Sequence, residues 1–299
     1  MSEKDAKGRT ATKGSTAGDG LALRERLRVP GGEPMDLASY DTRETPSGPR
    51  ASLAAMTDLA TPLADLQERL WASSTAGDRR RVLLVLQGMD TSGKGGTVKH
   101  VIGLFNPSGC RIHAFKAPTP KERAHPFLRR IKKALPQAGE LGIFDRSRGG
   151  TPIEDVLVAR VRALAPAAEI ARRYDEINRF EKSLAGKGVT VIKCFLHLSY
   201  DEQRDRLLKR LDRPDKHWKF HVSDIDDRAL WPAYRQAYEL VLERCSTPHA
   251  PWYLVPADRK WYRNWAISRL LLEHLSELDP RYPKADFDVE EARRRLLEQ

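Results

Sequence analysis

Residues 82–97, VLLVLQGMDTSGKGGT, are the stretch that decides the fold. The apolar run Val82 to Leu86 predicts a strand that is buried on both faces of a sheet. Gly88 and Gly93 are separated by four residues and Lys94 follows directly, which is the spacing of a phosphate-binding loop between a strand and a helix. Glycines let backbone N–H groups turn toward phosphate oxygens, and a helix that begins near Lys94 directs its positive end at the same anion. We therefore expect phosphate to bind at this loop.

The loop departs from the usual pattern after the lysine. Ser or Thr normally follows and holds Mg²⁺, whereas here Gly95 and Gly96 follow and Thr97 carries the first hydroxyl. Asp90 adds a carboxylate inside the loop that is suited to hold a metal or to orient a phosphate. A glycine-rich turn that binds nothing is the alternative, but the strand, the spacing and Lys94 together favour phosphate binding.

Composition limits the class of protein. The 299 residues, of which 40% are hydrophobic, suffice for one large domain or two small ones. No apolar run approaches the roughly 20 residues of a membrane span, and the N-terminal segment lacks the apolar core of a secretory signal. Cys110, Cys194 and Cys245 show no paired or metal-binding spacing, so we expect reduced thiols and a cytoplasmic protein. The net charge of +11 indicates an anionic partner: nucleic acid, a membrane surface or a polyanionic substrate.

Strands alternate with helices along the chain, which predicts an α/β fold with a parallel sheet covered by helices on both faces. Beyond the first strand, we predict strands at 111–115, 141–144, 189–198 and 252–255. Helices are predicted at 53–71, 94–105, 119–134, 153–164, 167–185, 200–211, 228–245, 260–278 and 289–298.

Composition also divides the chain into segments. Residues 1–20 predict a disordered tail, 21–50 an extended N-terminal arm laid on the domain, 51–285 the phosphate-loop domain, and 286–299 a C-terminal helix. Ligands of parallel sheets bind at the carboxyl ends of the strands. We therefore expect the phosphate loop, Asp145 and Arg146, and the loop after Val255 to meet at one edge.

Charged residues follow two of the predicted strands. Asp145 stands where phosphate-loop proteins place an acid that helps hold Mg²⁺, and a helix-cap or turn aspartate is the alternative. Arg146 is suited to clamp a phosphoryl group with two hydrogen bonds, and a surface ion pair is the alternative. With the phosphate loop nearby we favour the metal and phosphate roles. Lys116, after the second strand, fits the cleft and a solvent-facing position equally well.

A strongly basic segment, RDRLLKRLDRPDKHWK, occupies residues 204–219. Interspersed acids make internal ion pairing on a solvated face one alternative. In phosphate-loop kinases, however, a basic helical lid closes over phosphates and excludes water. We therefore predict a lid over about 200–228, whose phosphate-binding cations are Arg206, Lys209, Arg210, Arg213 and Lys216.

Six segments together resemble the polyphosphate kinase type 2 family: GMDTSGKGGTVKHV, FNPSGCRIHAFKAPT, GIFDRS, INRFEKSLAGKGVTVIKCFLHLS, EQRDRLLKRLDRPDKHWKF and APWYLVPADRKWYRNW. The resemblance covers residues 27–278. It implies a phosphate-loop kinase fold with a helical lid. It further implies an enzyme that moves a terminal phosphoryl group between inorganic polyphosphate and a nucleotide (ADP/ATP or AMP, with GDP/GTP and GMP also open), uses Mg²⁺, and forms dimers or tetramers.

The resemblance also implies roles for particular residues. Asp90 and Lys94 would serve the phosphate loop, and Asp145 with Arg146 would form the second motif, so that Asp90 and Asp145 are the candidate metal ligands. Arg206 and Arg210 of the lid would contact phosphate.

One segment departs from the family pattern. Members typically follow the Asp/Asn-Arg-Ser motif with two residues, often aromatic, and then an acid, whereas here residues 148–153 read RGGTPI before Glu154. The stretch is about four residues longer, which leaves the place of Glu154 in the cleft open and makes reduced activity an alternative. The remaining alternatives are an ATP-dependent nucleotide kinase and a catalytically impaired protein that only binds polyphosphate.

Overall fold

In the computed structural model, residues 22–48, 54–116, 119–148 and 152–299 are described. The predicted tail at 1–20 lies outside these ranges. Five strands form one sheet in the order β2-β3-β1-β4-β5, and every neighbouring pair is parallel. The predicted α/β fold is therefore confirmed. The strands are β1 (Arg81–Gln87), β2 (Cys110–Lys116), β3 (Leu141–Arg148), β4 (Val189–His197) and β5 (Trp252–Pro256).

Helices connect the strands and flank the sheet. The helices before β4 are α1 (Leu23–Leu27), α2 (Ala54–Thr75), α3 (Lys94–Val101), α4 (Pro120–Arg123), α5 (Leu128–Ala134), α6 (Pro152–Val161) and α7 (Ala167–Ala185). Those after β4 are α8 (Tyr200–Leu211), α9 (Ser223–Ala229), α10 (Trp231–Cys245), α11 (Lys260–Leu278) and α12 (Val289–Leu297). Among the described helices, none is both long and apolar enough to cross a membrane.

The sheet is buried on both faces, which explains the continuous apolar run of β1. Successive strand side chains point to opposite faces. Leu84 and Leu86 pack with α2, α3 and α11 in one cluster, whereas Leu83 and Val85 pack with α5 and α7 on the other side. A further cluster fills that second side between α6, α7 and α10.

Several sequence-based boundaries were wrong: the α-helix predicted over 94–105 ends at Val101, and the helix predicted over 228–245 is divided between α9 and α10. The helix predicted over 119–134 is split into α4 and α5, because Pro126 has no N–H to donate and disfavours helical backbone at the residue before it. Asp145 and Arg146 do not follow β3 but lie within it, since pairing with β2 continues through both residues. Thr119 caps α4, since its hydroxyl accepts from the Glu122 N–H in a capping box.

Residues 22–48 lie across the β5 side of the sheet. Arg28 forms an antiparallel bridge with Tyr253, and the Val29 N–H donates to the Trp252 carbonyl over 2.9 Å. Leu27 and Leu37 are buried against the domain. The edge strand β5 is therefore covered, so its backbone groups are partly paired and do not template association with another strand.

Candidate active site

The loop between β1 and α3 wraps around the ammonium group of Lys94. Lys94 Nζ donates to the carbonyl of Gly88 over 2.7 Å and to that of Met89 over 3.2 Å, and it lies 3.4 Å from Ser92 Oγ. The side chain is buried. Because an ammonium group has three donors that rotate freely, the same group is able to exchange loop carbonyls for phosphate oxygens.

Two glycines give this loop its shape. Gly88 has φ +151° and Gly93 has φ +105°, backbone conformations that other residues rarely adopt. A Cβ at Gly93 would lie 1.7 Å from a guanidinium nitrogen of Arg263, and one at Gly88 would lie 2.8 Å from the Leu196 carbonyl oxygen. Thr91 also has positive φ, at 63°, which costs energy for a β-branched residue and is typical of strained functional loops.

Two buried arginines brace the loop. Arg206 donates through Nη1 to the carbonyls of Thr91 and Ser92, over 2.9 and 3.3 Å, and through Nη2 to those of Ala257 and Asp258. Arg263 donates to the same Ser92 carbonyl over 3.1 Å. Burial, and then the charge of Arg206, lowers the pKa of Arg263 to about 9. The loop therefore carries a concentration of positive charge that a phosphate would neutralise.

Oxygen atoms suited to a metal lie close to this loop in the fold. Asp145 Oδ1 and Thr97 Oγ1 are buried, and neither has a hydrogen-bond partner among the described residues. A buried polar atom without a partner is costly, so a ligand at either oxygen would be stabilising. Carboxylate and hydroxyl oxygens are ligands that Mg²⁺ accepts. No cluster of three or more His, Cys, Asp or Glu side chains is placed to hold a metal within the described ranges.

An acidic cleft of about 70 Å³ opens beside the phosphate loop. Its lining includes the carboxylates of Asp90, Glu154, Asp224 and Asp227. Gln203 of α8 fixes the loop at this point, since its Nε2 donates to the Asp90 carbonyl over 3.1 Å. Glu154 is 3% exposed and lies in this cleft. The longer segment before α6 therefore leaves Glu154 beside the loop.

The lid segment, residues 200–228, contains α8, a 3-10 helix (Pro214–Lys219) and most of α9. Arg206 does not share the exposed position of the other predicted lid cations, since its side chain is 6% exposed and paired with Glu202. The α8 helix brings it there because Arg206 and Gln203 are three residues apart on one face. In this structure Arg206 contacts the loop backbone, and its predicted contact with phosphate stays a prediction.

The remaining lid cations stay near the surface. Arg210 donates to the Lys219 carbonyl and lies 3.8 Å from Asp224. Arg213 and Lys216 both pair with Asp215, and these two partners, Lys216 first, lower the pKa of Asp215 to about 2. Lys209 is exposed. Internal pairing therefore accounts for part of the basic run, as the alternative interpretation of the sequence anticipated.

A family model described as Polyphosphate kinase 2 matches residues 50–283. The chain belongs to the polyphosphate kinase 2 family. Among its relatives, the AMP/ADP-polyphosphate phosphotransferase of Meiothermus ruber is 43% identical over 265 residues, which cover 88% of this chain and 96% of that protein. The ADP-polyphosphate phosphotransferase of Rhodopseudomonas palustris is 36% identical over 274 residues, with 87% and 92% covered.

A solved structure of the same family supports the fold. The crystal structure of polyphosphate kinase 2 from Arthrobacter aurescens superposes with a TM-score of 0.88 at 45% sequence identity. The match covers 93% of this chain and 98% of that one.

For this polyphosphate kinase 2 chain, the structure brings together most of the residues predicted for the site. Gly88, Asp90, Gly93 and Lys94 form the loop, and Thr97 lies within α3 behind it. Gly95 and Gly96 occupy the first turn of α3. Arg146 and Lys116 are described only as strand backbone, paired with Phe115 and Arg148 respectively. Their phosphate-binding roles stay predictions.

Sequence reasoning missed several residues that touch the loop. For Arg263 the sequence predicted only a position within a helix. The residue lies one turn into α11, which follows β5 at the same sheet edge as the phosphate loop. That position is a usable signal, because such helix starts face the ligand edge. Gln203 and Asp224 had no comparable signal, since only the folding of the lid segment places them beside Asp90.

Proposed function

We propose that this chain transfers a terminal phosphoryl group between inorganic polyphosphate and a nucleoside mono- or diphosphate, with AMP and ADP as acceptors. The observation that carries the proposal is the arginine-braced loop around Lys94, which places three cations (Lys94, Arg206 and Arg263) in or against one small loop. The relatives described above bear names of AMP/ADP-polyphosphate and ADP-polyphosphate phosphotransferases. Together they favour a reaction between two phosphate chains.

The transfer needs alignment and charge neutralisation more than covalent chemistry by the protein. An oxygen of the acceptor phosphate forms a bond to the terminal phosphorus of polyphosphate, and the anhydride bond to the next phosphate breaks. The shortened polyphosphate leaves with the bonding electron pair. Lys94 and the N–H groups at the start of α3 hold the phosphates, because they direct positive charge at the oxygens on which negative charge develops.

The acidic cleft and the basic lid give the two sides of the site opposite charge. The carboxylates of Asp90 and Glu154 line one side, whereas Lys209, Arg213 and Lys216 lie on the lid. A polyphosphate chain would follow the lid cations, while the acidic side would keep polyanions away except where a cation bridges. The lid would also exclude water, which otherwise competes with the nucleotide as acceptor.

Magnesium is the cation that we propose for this site, with Asp145 and Asp90 as candidate carboxylate ligands and Thr97 as a candidate hydroxyl ligand. When bound, Mg²⁺ neutralises phosphate charge. Asp145→Asn keeps the shape of the side chain and removes the charge that attracts the cation. We expect a weaker Mg²⁺ dependence, measured by titrating activity with Mg²⁺. An unchanged titration would assign the metal to Asp90 instead.

Product analysis tests the proposed reaction. Purified protein, Mg²⁺ and polyphosphate would be mixed separately with AMP, ADP, GMP and GDP, and products separated by ion-exchange chromatography. We expect ADP and ATP from the adenine acceptors, and GDP and GTP if the acceptor site accepts guanine. A parallel mixture would contain ATP in place of polyphosphate, with AMP as acceptor; transfer from ATP but none from polyphosphate would indicate an ordinary nucleotide kinase. Retention of polyphosphate without any product would indicate a binding protein.

A further inference from the structure

A groove of about 540 Å³ lies between α5 and α7, away from the phosphate loop. Four cations, Arg81, Lys132, Arg179 and Lys187, line it together with Phe180 and other apolar side chains. Arg81 begins β1 and Lys187 precedes β4, whereas the phosphate loop follows the last residue of β1. Seven strand residues span about 20 Å. The groove therefore lies at the opposite edge of the sheet, and a small ligand cannot occupy both places.

Among the described residues that line the groove, the four cations outnumber the one carboxylate, Glu176. None of the four cations lies within ion-pair distance of a carboxylate among the described side chains. The acid in the lining, Glu176, pairs with Arg172 over 3.0 Å. In addition, Arg81 Nε is buried and has no described hydrogen-bond acceptor. Like charges placed together without partners repel one another, so an anion with several charges would stabilise this surface.

The floor of the groove is apolar and partly aromatic. Leu184 is buried beneath it, and Lys132 Nζ stands 5.9 Å from the centroid of the Phe180 ring. A bare polyphosphate would satisfy the cations and leave this floor exposed to water. A ligand that has both a flat ring and phosphates would cover the floor and neutralise the rim, because aromatic rings stack on Phe and cations bind phosphate oxygens.

We propose that this groove is a second nucleotide-binding site, which takes a nucleoside di- or triphosphate with its base against Phe180 and its phosphates between Arg81, Arg179 and Lys187. The volume lies in the range of small-molecule pockets. The inference goes beyond the transfer reaction, because a nucleotide bound there is too far from Lys94 to react. It gives the protein a place to sense the nucleotides that it consumes and produces.

Equilibrium dialysis with radiolabelled ADP tests the proposal on the full chain without polyphosphate. We expect two ADP per chain for the wild type and one for the double variant Arg179→Glu with Lys187→Glu. A matched double variant, Lys182→Glu with Lys284→Glu, changes the charge equally outside the groove and should keep two. Thermal melting monitored by circular dichroism would check that each variant folds. If the groove double variant does not fold, the single variant Arg179→Gln would take its place.

A second variant separates the base from the phosphates. Phe180→Leu keeps an apolar floor but removes the ring, so ADP affinity at the groove should fall about fivefold or more, while inorganic tripolyphosphate should bind as before. One ADP per chain in the wild type, or two in the groove double variant, would overturn the proposal. The proposal would also be overturned if tripolyphosphate and ADP bound equally well and Phe180→Leu changed neither affinity. A groove variant that alters the sedimentation coefficient but keeps both ADP would instead make this surface a contact between chains.

Discussion

At the scale of single residues, Arg206 and Arg263 converge on one carbonyl oxygen, that of Ser92. Two guanidinium groups this close repel each other, and burial removes the water that would screen them. A phosphate bound at the loop would add negative charge beside both groups, beyond the Glu202 carboxylate that pairs with Arg206. Ligand binding to the native state alone stabilises a protein by mass action. The phosphate loop is thus shaped for an anion before the anion arrives.

Lys94→Ala should reduce phosphoryl transfer by about a hundredfold or more, because a charge that stabilises the transition state in a closed site contributes about 3 kcal/mol. Initial rates of nucleotide formation measure the effect. Lys99→Ala is the matched control, since Lys99 is an exposed cation of the same helix. Equal rates for the two folded variants would contradict the assignment of Lys94 to phosphate.

Gly93→Ala should lower both activity and the melting temperature. The added Cβ would collide with the buried guanidinium of Arg263, and φ at this position is +105°. A loss of about 2 kcal/mol would lower Tm by roughly 4 to 8 °C for a chain of this size. Gly95→Ala is the control for stability, because a Cβ there meets nothing within 4 Å and alanine favours a helix. If Gly93→Ala melts like the wild type, the contact with Arg263 does not constrain the loop.

At the scale of elements, α8 serves two purposes on two faces. One face carries Gln203 and Arg206 against the phosphate loop, and the other carries Lys209 toward solvent. The 3-10 helix that follows is held to α8 by the bond from Arg210 to the Lys219 carbonyl. Any movement of the lid would therefore be transmitted to the loop through Arg206. A test of electrostatic binding by the lid must consequently leave Arg206 in place.

The triple variant Lys209→Ala, Arg213→Ala, Lys216→Ala should raise the Michaelis constant for long-chain polyphosphate and flatten its dependence on salt. Each phosphate charge that a cation neutralises makes affinity fall as salt rises, by analogy with nucleic acids. Titrations at two salt concentrations and two chain lengths measure both effects, with short chains affected less. The control removes three exposed cations elsewhere, Lys284, Arg293 and Arg295. Salt slopes that match the wild type would make the lid cations a solvated surface.

At the scale of the whole molecule, the N-terminal arm ties the site to the edge of the sheet. Thr42 Oγ1 donates to Asp258 Oδ2 over 2.8 Å, and Asp258 also accepts from the N–H and the hydroxyl of Ser199 at the start of α8. The backbone carbonyl of Asp258 in turn accepts a hydrogen bond from Arg206. The arm, the lid helix and the loop after β5 therefore meet in one hydrogen-bond network behind the phosphate loop.

Removal of residues 2–20 should leave turnover and Tm unchanged, because the composition of this tail provides no apolar anchors. Leu27→Ala is the contrasting change in the arm: Leu27 is 4% exposed, and a buried Leu→Ala change costs about 2 to 5 kcal/mol. Calorimetry or thermal melting measures both. A large loss of activity or a lower Tm after the deletion would contradict the predicted disorder of residues 1–20.

The sequence by itself determined the sheet and the position of the phosphate loop. Local signals suffice there: a strand buried on both faces must be continuously apolar, and the Gly-x4-Gly-Lys spacing is set by the size of a phosphate. Helix ends such as those of α7, α8 and α11 were also predicted at the observed residues, since caps, glycines and periodicity are local. Family resemblance added the reaction class.

Only the tertiary structure decided which charges face a ligand. Arg206 and Lys209 look alike in the sequence, three residues apart in one basic run, yet one is buried on the loop and the other is exposed. Arg263 reaches Ser92 across 171 residues of chain, and Glu154 keeps its place in the cleft despite the longer segment before it. The direction of a side chain depends on how helices pack around the sheet, and that packing is the sum of many distant contacts that no local pattern contains.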